Sequence, residues 1–173
     1  MKTKLFSFAA LCLLLLGGLN ARAQELPRKV ENVKVFDLEN NPVTLPEWGK
    51  KNLLIFYIDP DKHKQNEEFT YDMELNHRAE GANLYGFGII NLKDSGFPNF
   101  IVRGMARKRT AKNGATVLAD KERALSEAWG LGSCDDKFVL LLVSREGELV
   151  FMRKGELTEA DKAEFYRVVE AYR

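Results

Sequence analysis

An unbroken apolar run, LLIFYI, occupies residues 53–58 and is followed at once by Asp59-Pro60-Asp61. Six apolar residues without a polar position are typical of a strand that is buried on both faces of a sheet. Pro60 has no backbone donor and keeps Asp59 extended, so the strand ends here, and Asp61 can cap a following helix. We expect that helix over residues 62–80. Its predicted core-facing residues are Phe69, Met73, Leu75 and Ala79.

Apolar runs and helical stripes alternate along the rest of the chain. A hairpin precedes the first buried strand, a second hairpin closes the domain, and Thr158 with Asp161 predicts a capping box for the last helix. The helix that opens at Pro98 is expected to turn Ile101 and Met105 inward. The pattern therefore predicts an α/β sandwich with a mixed central sheet, an N-terminal hairpin and flanking helices. Strands are predicted at 33–36, 43–45, 84–90, 116–119, 138–143 and 149–152, and helices over 120–129 and from 158 to the end.

The N-terminus has the pattern of a secretory signal peptide. Lys2 and Lys4 precede an apolar run over 5–19, and Ala21-Arg22-Ala23 supplies a small-x-small cleavage site. The apolar run is short for a membrane span, so we expect cleavage after Ala23 rather than an uncleaved anchor. The mature chain is then expected to be a periplasmic protein without a transmembrane segment, with a linker over 24–32 and one domain over 33–173.

Charge excludes one class of partner. Cleavage of the signal peptide would remove Lys2, Lys4 and Arg22, so the 26 basic residues fall to 23 against 25 acidic residues. Because the mature chain then has no excess of positive charge and no nucleic-acid-binding motif, we do not expect a nucleic acid as partner. One basic cluster could meet anionic lipid or another acidic partner. We prefer the alternative that it is a solvated face near a helix C-terminus, where positive charge is favourable. The cluster is Arg103, Arg107, Lys108, Arg109 and Lys112.

Three segments resemble thioredoxin-like domains of the peroxiredoxin and exported thiol-reductase type. The first segment lies within residues 35–56 and consists of the strand sequences VFDL and VTL followed by KKNLLIF. The second is the segment 120–131, and the third is the closing hairpin LLVSREGELV at 141–150. More narrowly, residues 147–173 resemble the YtfJ family of exported proteins. The resemblance implies a thioredoxin-like sandwich and a periplasmic address, and it supplies no established activity.

Catalytic members of the wider superfamily carry a Cys-x-x-Cys pair after the first buried strand and a cis-proline before the penultimate strand. The matching stretch here is Asp61-Lys62-His63-Lys64, and no proline lies near Phe138. After cleavage of the signal peptide the only thiol is Cys134, so neither a dithiol cycle nor a peroxidatic cysteine at the helix start is available. We therefore expect no redox enzyme activity and no cofactor.

A candidate ligand or partner face remains at the carboxyl ends of the strands, where open α/β sheets bind ligands. The first hypothesis is a binding or interaction module that reuses this face for a periplasmic protein or a small ligand. The second is a single-thiol redox or sensing protein acting through Cys134, for which the plain alternative is a buried thiol. The third is a metal site built from His63, Cys134 and Asp61 with a neighbouring carboxylate. The predicted face comprises Asp59, Asp61, His63, Cys134, Asp135, Asp136 and Phe138.

Overall fold

The computed structural model describes residues 25–173, and the predicted signal peptide over 1–23 lies outside them. Strands and helices alternate in the predicted order, with a 3-10 turn at Pro60–Lys62 after the first long strand. The strands are β1 (Arg28–Lys29), β2 (Lys34–Phe36), β3 (Pro42–Thr44), β4 (Asn52–Ile58), β5 (Leu84–Asn91), β6 (Val117–Asp120), β7 (Phe138–Val143) and β8 (Glu148–Lys154). The helices are α1 (Glu67–Leu75), α2 (Asn99–Asn113), α3 (Ala124–Ala128) and α4 (Glu159–Tyr172).

All the described strands join one mixed sheet in the order β1-β8-β7-β4-β5-β6-β2-β3. β4 pairs in parallel with β5 and antiparallel with β7, so the LLIFYI strand lies inside the sheet. Its side chains alternate between two cores: Ile55 packs with Trp129 on one face, and Leu54 packs with Phe165 on the other. The prediction of an α/β sandwich with a mixed sheet is confirmed.

The segment expected to be a linker also takes part in the sheet. Residues 28 and 29 form β1, which pairs antiparallel with Leu149 and Glu148 of β8. The Trp129 indole Nε1 donates a hydrogen bond of 2.8 Å to the carbonyl oxygen of Glu31. Residues 28–31 are thus tied to both β8 and the main core.

The first helix is shorter than predicted. It runs over Glu67–Leu75 instead of 62–80. Asn66, with a left-handed φ of 63°, separates the 3-10 turn from the helix, and His77, with a left-handed φ of 52°, lies just beyond the helix end. Phe69 and Met73 are buried as expected, but Leu75 is 59% exposed. Ala79 lies beyond the end of the helix and packs at the margin of the core.

The orientation predicted for the second helix is wrong. Ile101 is 41% exposed and Met105 is 63% exposed, and Val102 is the buried residue of α2. The i, i+4 spacing of Ile101 and Met105 places them on one side of a helix but does not determine which side packs on the sheet. Side chains from the opposite flank attach α2 to the β2–β3 turn, since Arg107 donates to the carbonyl of Leu38 at 2.8 Å.

The last helix forms as predicted. Thr158 and Asp161 make the reciprocal capping box, and Phe165 and Val169 are fully buried against the sheet. Within residues 25–173, no helix has the length and apolar character that a membrane crossing requires.

Candidate functional site

The end of β4 is joined to the loop before β7 through Asp59. Its carboxylate accepts hydrogen bonds of 2.9 Å from the backbone N–H of Asp61 and from that of Asp136. The Asp59 side chain is buried, and this burial raises its pKa, while the two amide donors act in the opposite direction. Asp59 therefore connects the two loops beneath the surface and is not itself available to a ligand.

Asp61 stands where the resemblance places the first cysteine of a dithiol. Its exposed carboxylate accepts a hydrogen bond of 2.9 Å from the backbone N–H of Gly96, in the loop after β5. A Cβ at Gly96 would lie 3.1 Å from Asp61 Oδ2, so glycine permits this close approach. Asp59, not Asp61, caps the 3-10 turn, which corrects the predicted capping role of Asp61.

An open depression of about 410 Å³ lies between these two loops. The exposed ring of His63 borders it, and the His63 Nδ1 donates 2.9 Å to the carbonyl oxygen of Pro60. That bond places the proton of a neutral imidazole on Nδ1 and leaves Nε2 as an acceptor. The depression is lined by Pro60, Asp61, His63, Gly96 and Phe97.

Cys134 is buried in the main core. The side chain is 2% exposed, and its thiol donates 3.4 Å to the carbonyl oxygen of Gly132. Burial raises the pKa of the Cys134 thiol to about 11, although the charge of Lys154 acts to lower it. A thiol in this environment is almost fully protonated near neutral pH, which opposes nucleophilic chemistry.

Phe138 is the third predicted face residue that the structure buries, after Asp59 and Cys134. Its side chain is 1% exposed and packs edge to face on Phe56, with 6.3 Å between the ring centroids, in the core that α4 covers. Asp135 and Asp136 are exposed, and Asp136 forms an ion pair of 3.4 Å with Lys62. The structure thus brings Asp61, His63, Asp135 and Asp136 to the surface and places Asp59, Cys134 and Phe138 beneath it.

A buried polar cluster lies near Cys134. The Tyr57 hydroxyl donates 3.2 Å to Asp120, whose carboxylate also accepts from the backbone N–H of Ala124 and of Leu125 at the start of α3. Burial, and next the negative charge of Asp120, raise the pKa of Tyr57 far above its ordinary value. The cluster therefore has a structural role, because Asp120 holds the first residues of α3 through their backbone amides.

Metal coordination has no support from the geometry. In the part of the chain that the structure describes, no three His, Cys, Asp or Glu side chains converge to hold an ion. His63 and Cys134, the two borderline ligands of the predicted set, also differ in depth, since the first is exposed and the second is buried.

Sequence reasoning missed Gly96 and Phe97. Both belong to the loop after β5, and Phe97 is 57% exposed. A usable signal was present, since parallel β4 and β5 end at the same edge of the sheet and their following loops must meet there. Ser95-Gly96-Phe97-Pro98 instead indicated only the start of a helix.

Comparison with solved structures identifies the fold. Three similar chains are the pneumococcal exposed lipoprotein thioredoxin Etrx1 from Streptococcus pneumoniae, a thiol:disulfide interchange protein of the thioredoxin family from Chlorobium tepidum, and a peroxiredoxin-like protein from Aquifex aeolicus. Their TM-scores are 0.57, 0.58 and 0.54, at 14%, 12% and 13% sequence identity. The matches cover 82%, 87% and 84% of this chain and 99%, 99% and 85% of the other chains.

No protein-family model and no curated protein matches the chain. At such low identities the structural likeness shows the fold alone. The chain therefore has a thioredoxin-like fold, and its chemistry has to be argued from its own residues.

Proposed function

We propose that this chain is an exported, non-redox binding module of thioredoxin-like fold, which meets a protein partner at the depression between the β4 and β5 loops. The observation that carries the proposal is the hydrogen bond from Gly96 N–H to Asp61. It holds the two loops together at the position that the resemblance assigns to a reactive thiol. In place of a reactive thiol, this position therefore has a carboxylate whose hydrogen bond to Gly96 helps to form the depression.

The shape of the depression favours a protein partner over a small ligand. A small-molecule site usually encloses most of its ligand, whereas this depression is largely open to solvent. It combines an exposed aromatic ring, Phe97, with an imidazole acceptor on His63 and an exposed carboxylate on Asp61. Such a mixture suits one apolar side chain of a partner flanked by hydrogen-bonding groups.

The alternatives lose support for physical reasons. A redox or sensing role for Cys134 requires a reachable thiolate, and the buried thiol with its raised pKa opposes both conditions.

The export step rests on the Ala21-Arg22-Ala23 pattern, and the narrower relation to the YtfJ family rests on the resemblance of residues 147–173.

Site-specific photocrosslinking tests the proposed surface. A photoreactive amino acid is placed at His63 or Phe97, and as a control at Glu146, an exposed residue in the turn at the opposite end of β7. We expect a discrete adduct from positions 63 and 97 in cells that express the full chain, and none from position 146. An adduct of equal yield from position 146, or none from 63 and 97, would refute the proposed site.

An insulin-reduction assay, paired with the crosslinking experiment, tests the proposal that the protein has no redox activity. The purified protein is expected to reduce insulin no faster than Cys134→Ser, while the photocrosslinked adduct at Phe97 persists in the Cys134→Ser background. A reductase rate that depends on Cys134 would contradict the proposal, whatever the crosslinking shows.

A further inference from the structure

Helix α2 has an uncompensated positive charge. Between Asp94 and Asp120 the chain has five basic residues and no acidic one. The side chains of Lys108, Arg109 and Lys112 make no hydrogen bond or ion pair with any part of the chain over 25–173. These three cations are therefore available to an anionic surface.

The outward face of the same helix is apolar in its first half. Phe100 is 70% exposed, Met105 is 63% exposed and Ile101 is 41% exposed, and Phe97 stands just before the first turn. Val102 on the opposite side makes the contact with the core. Large apolar side chains are rarely grouped in this way on a free surface, so the patch indicates something that covers it.

Charge and apolar exposure thus coincide on one helix. Helical positions 100, 101, 104, 105, 108 and 112 follow one another along one side, with the apolar members at the N-terminal end and the lysines at the C-terminal end. Apart from Phe97, which stands two residues before α2, these side chains come from a single helix, and one helix presents a convex surface. A peptide partner usually needs a groove or a free strand edge, whereas a bilayer surface accepts a convex amphipathic helix.

We propose that α2 together with Phe97 is a docking surface for a bilayer that contains anionic phospholipid. Phe100, Ile101 and Met105 enter the boundary between headgroups and acyl chains, and Lys108, Arg109 and Lys112 contact the phosphates. Arg103 and Arg107 bond to the β2–β3 turn and hold the helix on the domain. The docking surface shares Phe97 with the proposed partner site. The inference does not rest on that site, because the other residues of the docking surface belong to α2 and do not line the depression.

Vesicle binding tests the proposal. The chain starting at Gln24 is titrated with two kinds of vesicle. One contains phosphatidylcholine alone, and the other contains phosphatidylcholine and phosphatidylglycerol in about equal amounts. We expect binding to the anionic vesicles that weakens as salt is added, and no measurable binding to the neutral ones. Neutralising two cations in Lys108→Gln/Lys112→Gln should weaken binding about thirtyfold. Replacing two apolar anchors in Phe100→Ser/Met105→Ser should weaken it about tenfold or more.

Matched controls separate the helix from the rest of the surface. Tyr71→Ser/Leu75→Ser removes two equally exposed apolar side chains from α1, and Lys50→Gln/Lys64→Gln removes two exposed cations elsewhere. Both controls should bind like the unmodified chain, and urea unfolding midpoints should show that all four variants are folded.

Two results would overturn the proposal. Absence of binding to anionic vesicles is one, and equal loss of binding in the control variants is the other. An acidic polypeptide such as polyglutamate serves as a third arm. If it binds through α2 while vesicles do not, the occupant is an acidic protein and not a lipid surface.

Discussion

Asp59 illustrates how one side chain can connect two loops that are far apart in sequence. Its two carboxylate oxygens accept from the amides of Asp61 and Asp136, and its own amide donates 3.0 Å to the carbonyl of Lys137. Burial of the charge is the largest influence on its pKa and raises it above the ordinary 3.8. The folded state therefore binds the Asp59 proton more tightly than the unfolded chain does.

The raised pKa predicts a pH dependence of stability. Because the folded pKa of Asp59 lies above the unfolded one, its contribution is fully present below about pH 3.8 and is lost as pH rises through the folded pKa. The free energy of unfolding of the native chain minus that of Asp59→Asn should therefore fall with rising pH across this window. Urea unfolding at a series of pH values measures it, with Asp135→Asn as an exposed control. A difference that grows with pH would contradict the assignment.

The environment of Cys134 predicts slow alkylation. A thiol pKa of about 11, against the ordinary 9.0, leaves about a hundredfold less thiolate at about pH 8, and 2% exposure limits access further. In the chain starting at Gln24, iodoacetamide should label the native protein at least about a hundredfold more slowly than the urea-unfolded protein. Equal rates for the native and unfolded protein would show an accessible thiol and would revive the single-thiol hypothesis.

At the scale of elements, Asn66 determines where α1 begins. Its side chain donates 2.9 Å to the carbonyl of Gly155 and accepts 2.8 Å from the backbone N–H of Leu157, so it joins the start of α1 to the loop between β8 and α4. Asparagine is also among the few residues that tolerate a left-handed φ, here 63°. Both properties are specific to asparagine at this position.

Asn66→Ala is therefore expected to lower the free energy of unfolding by about 2–4 kcal/mol, because two hydrogen bonds and the left-handed preference are lost together. The control is Asn76→Ala at the other end of α1, where the side chain bonds only to exposed Asp72 and the expected loss is below about 1 kcal/mol. Urea unfolding followed by circular dichroism compares the two. Equal losses would mean that the bridge to the β8–α4 loop contributes nothing.

At the scale of the whole molecule, the N-terminal segment of the described chain closes the core around Trp129. Glu31 accepts from the Trp129 indole, Arg28 donates 2.8 Å to the Trp129 carbonyl, and Val30 N–H donates 2.9 Å to the carbonyl of Gly147. Leu26 and Val30 also pack against the main core. The domain as a packed unit thus begins earlier than the predicted boundary at residue 33.

Removing that segment should destabilise the whole domain. A chain starting at Asn32 is expected to lose about 2–4 kcal/mol relative to one starting at Gln24, because the buried Trp129 N–H loses its acceptor and apolar contacts are lost. Lys29→Ala is the control in the longer chain, since its ion pair with Glu148 is exposed and worth little. Urea unfolding followed by tryptophan fluorescence measures both. Identical midpoints for the long and short chains would restore the linker interpretation.

Part of the candidate site was predictable from the sequence. Asp61, His63 and Asp136 lie together at the surface, because the ends of strands in one sheet bring their loops to one edge. The structure buries Cys134 and Phe138. A buried thiol was one of the alternatives open for Cys134, and its local sequence could not choose between them, because the choice depends on how deeply the loop is covered. Phe97 was missed although neighbouring parallel strands predict that the loops after them meet, because its local sequence was interpreted only as the start of a helix.

The sequence by itself determined the buried strands, the last helix and the number of thiols. An apolar run such as residues 53–58 is buried whichever elements pack against it. The capping box of Thr158 and Asp161 involves only four consecutive residues, so neither feature depends on distant segments. The tertiary structure alone decided where α1 begins and which side of α2 faces water. Those outcomes depend on bonds between distant segments, from Asn66 to Gly155 and from Arg107 to Leu38, and local periodicity carries no information about such partners.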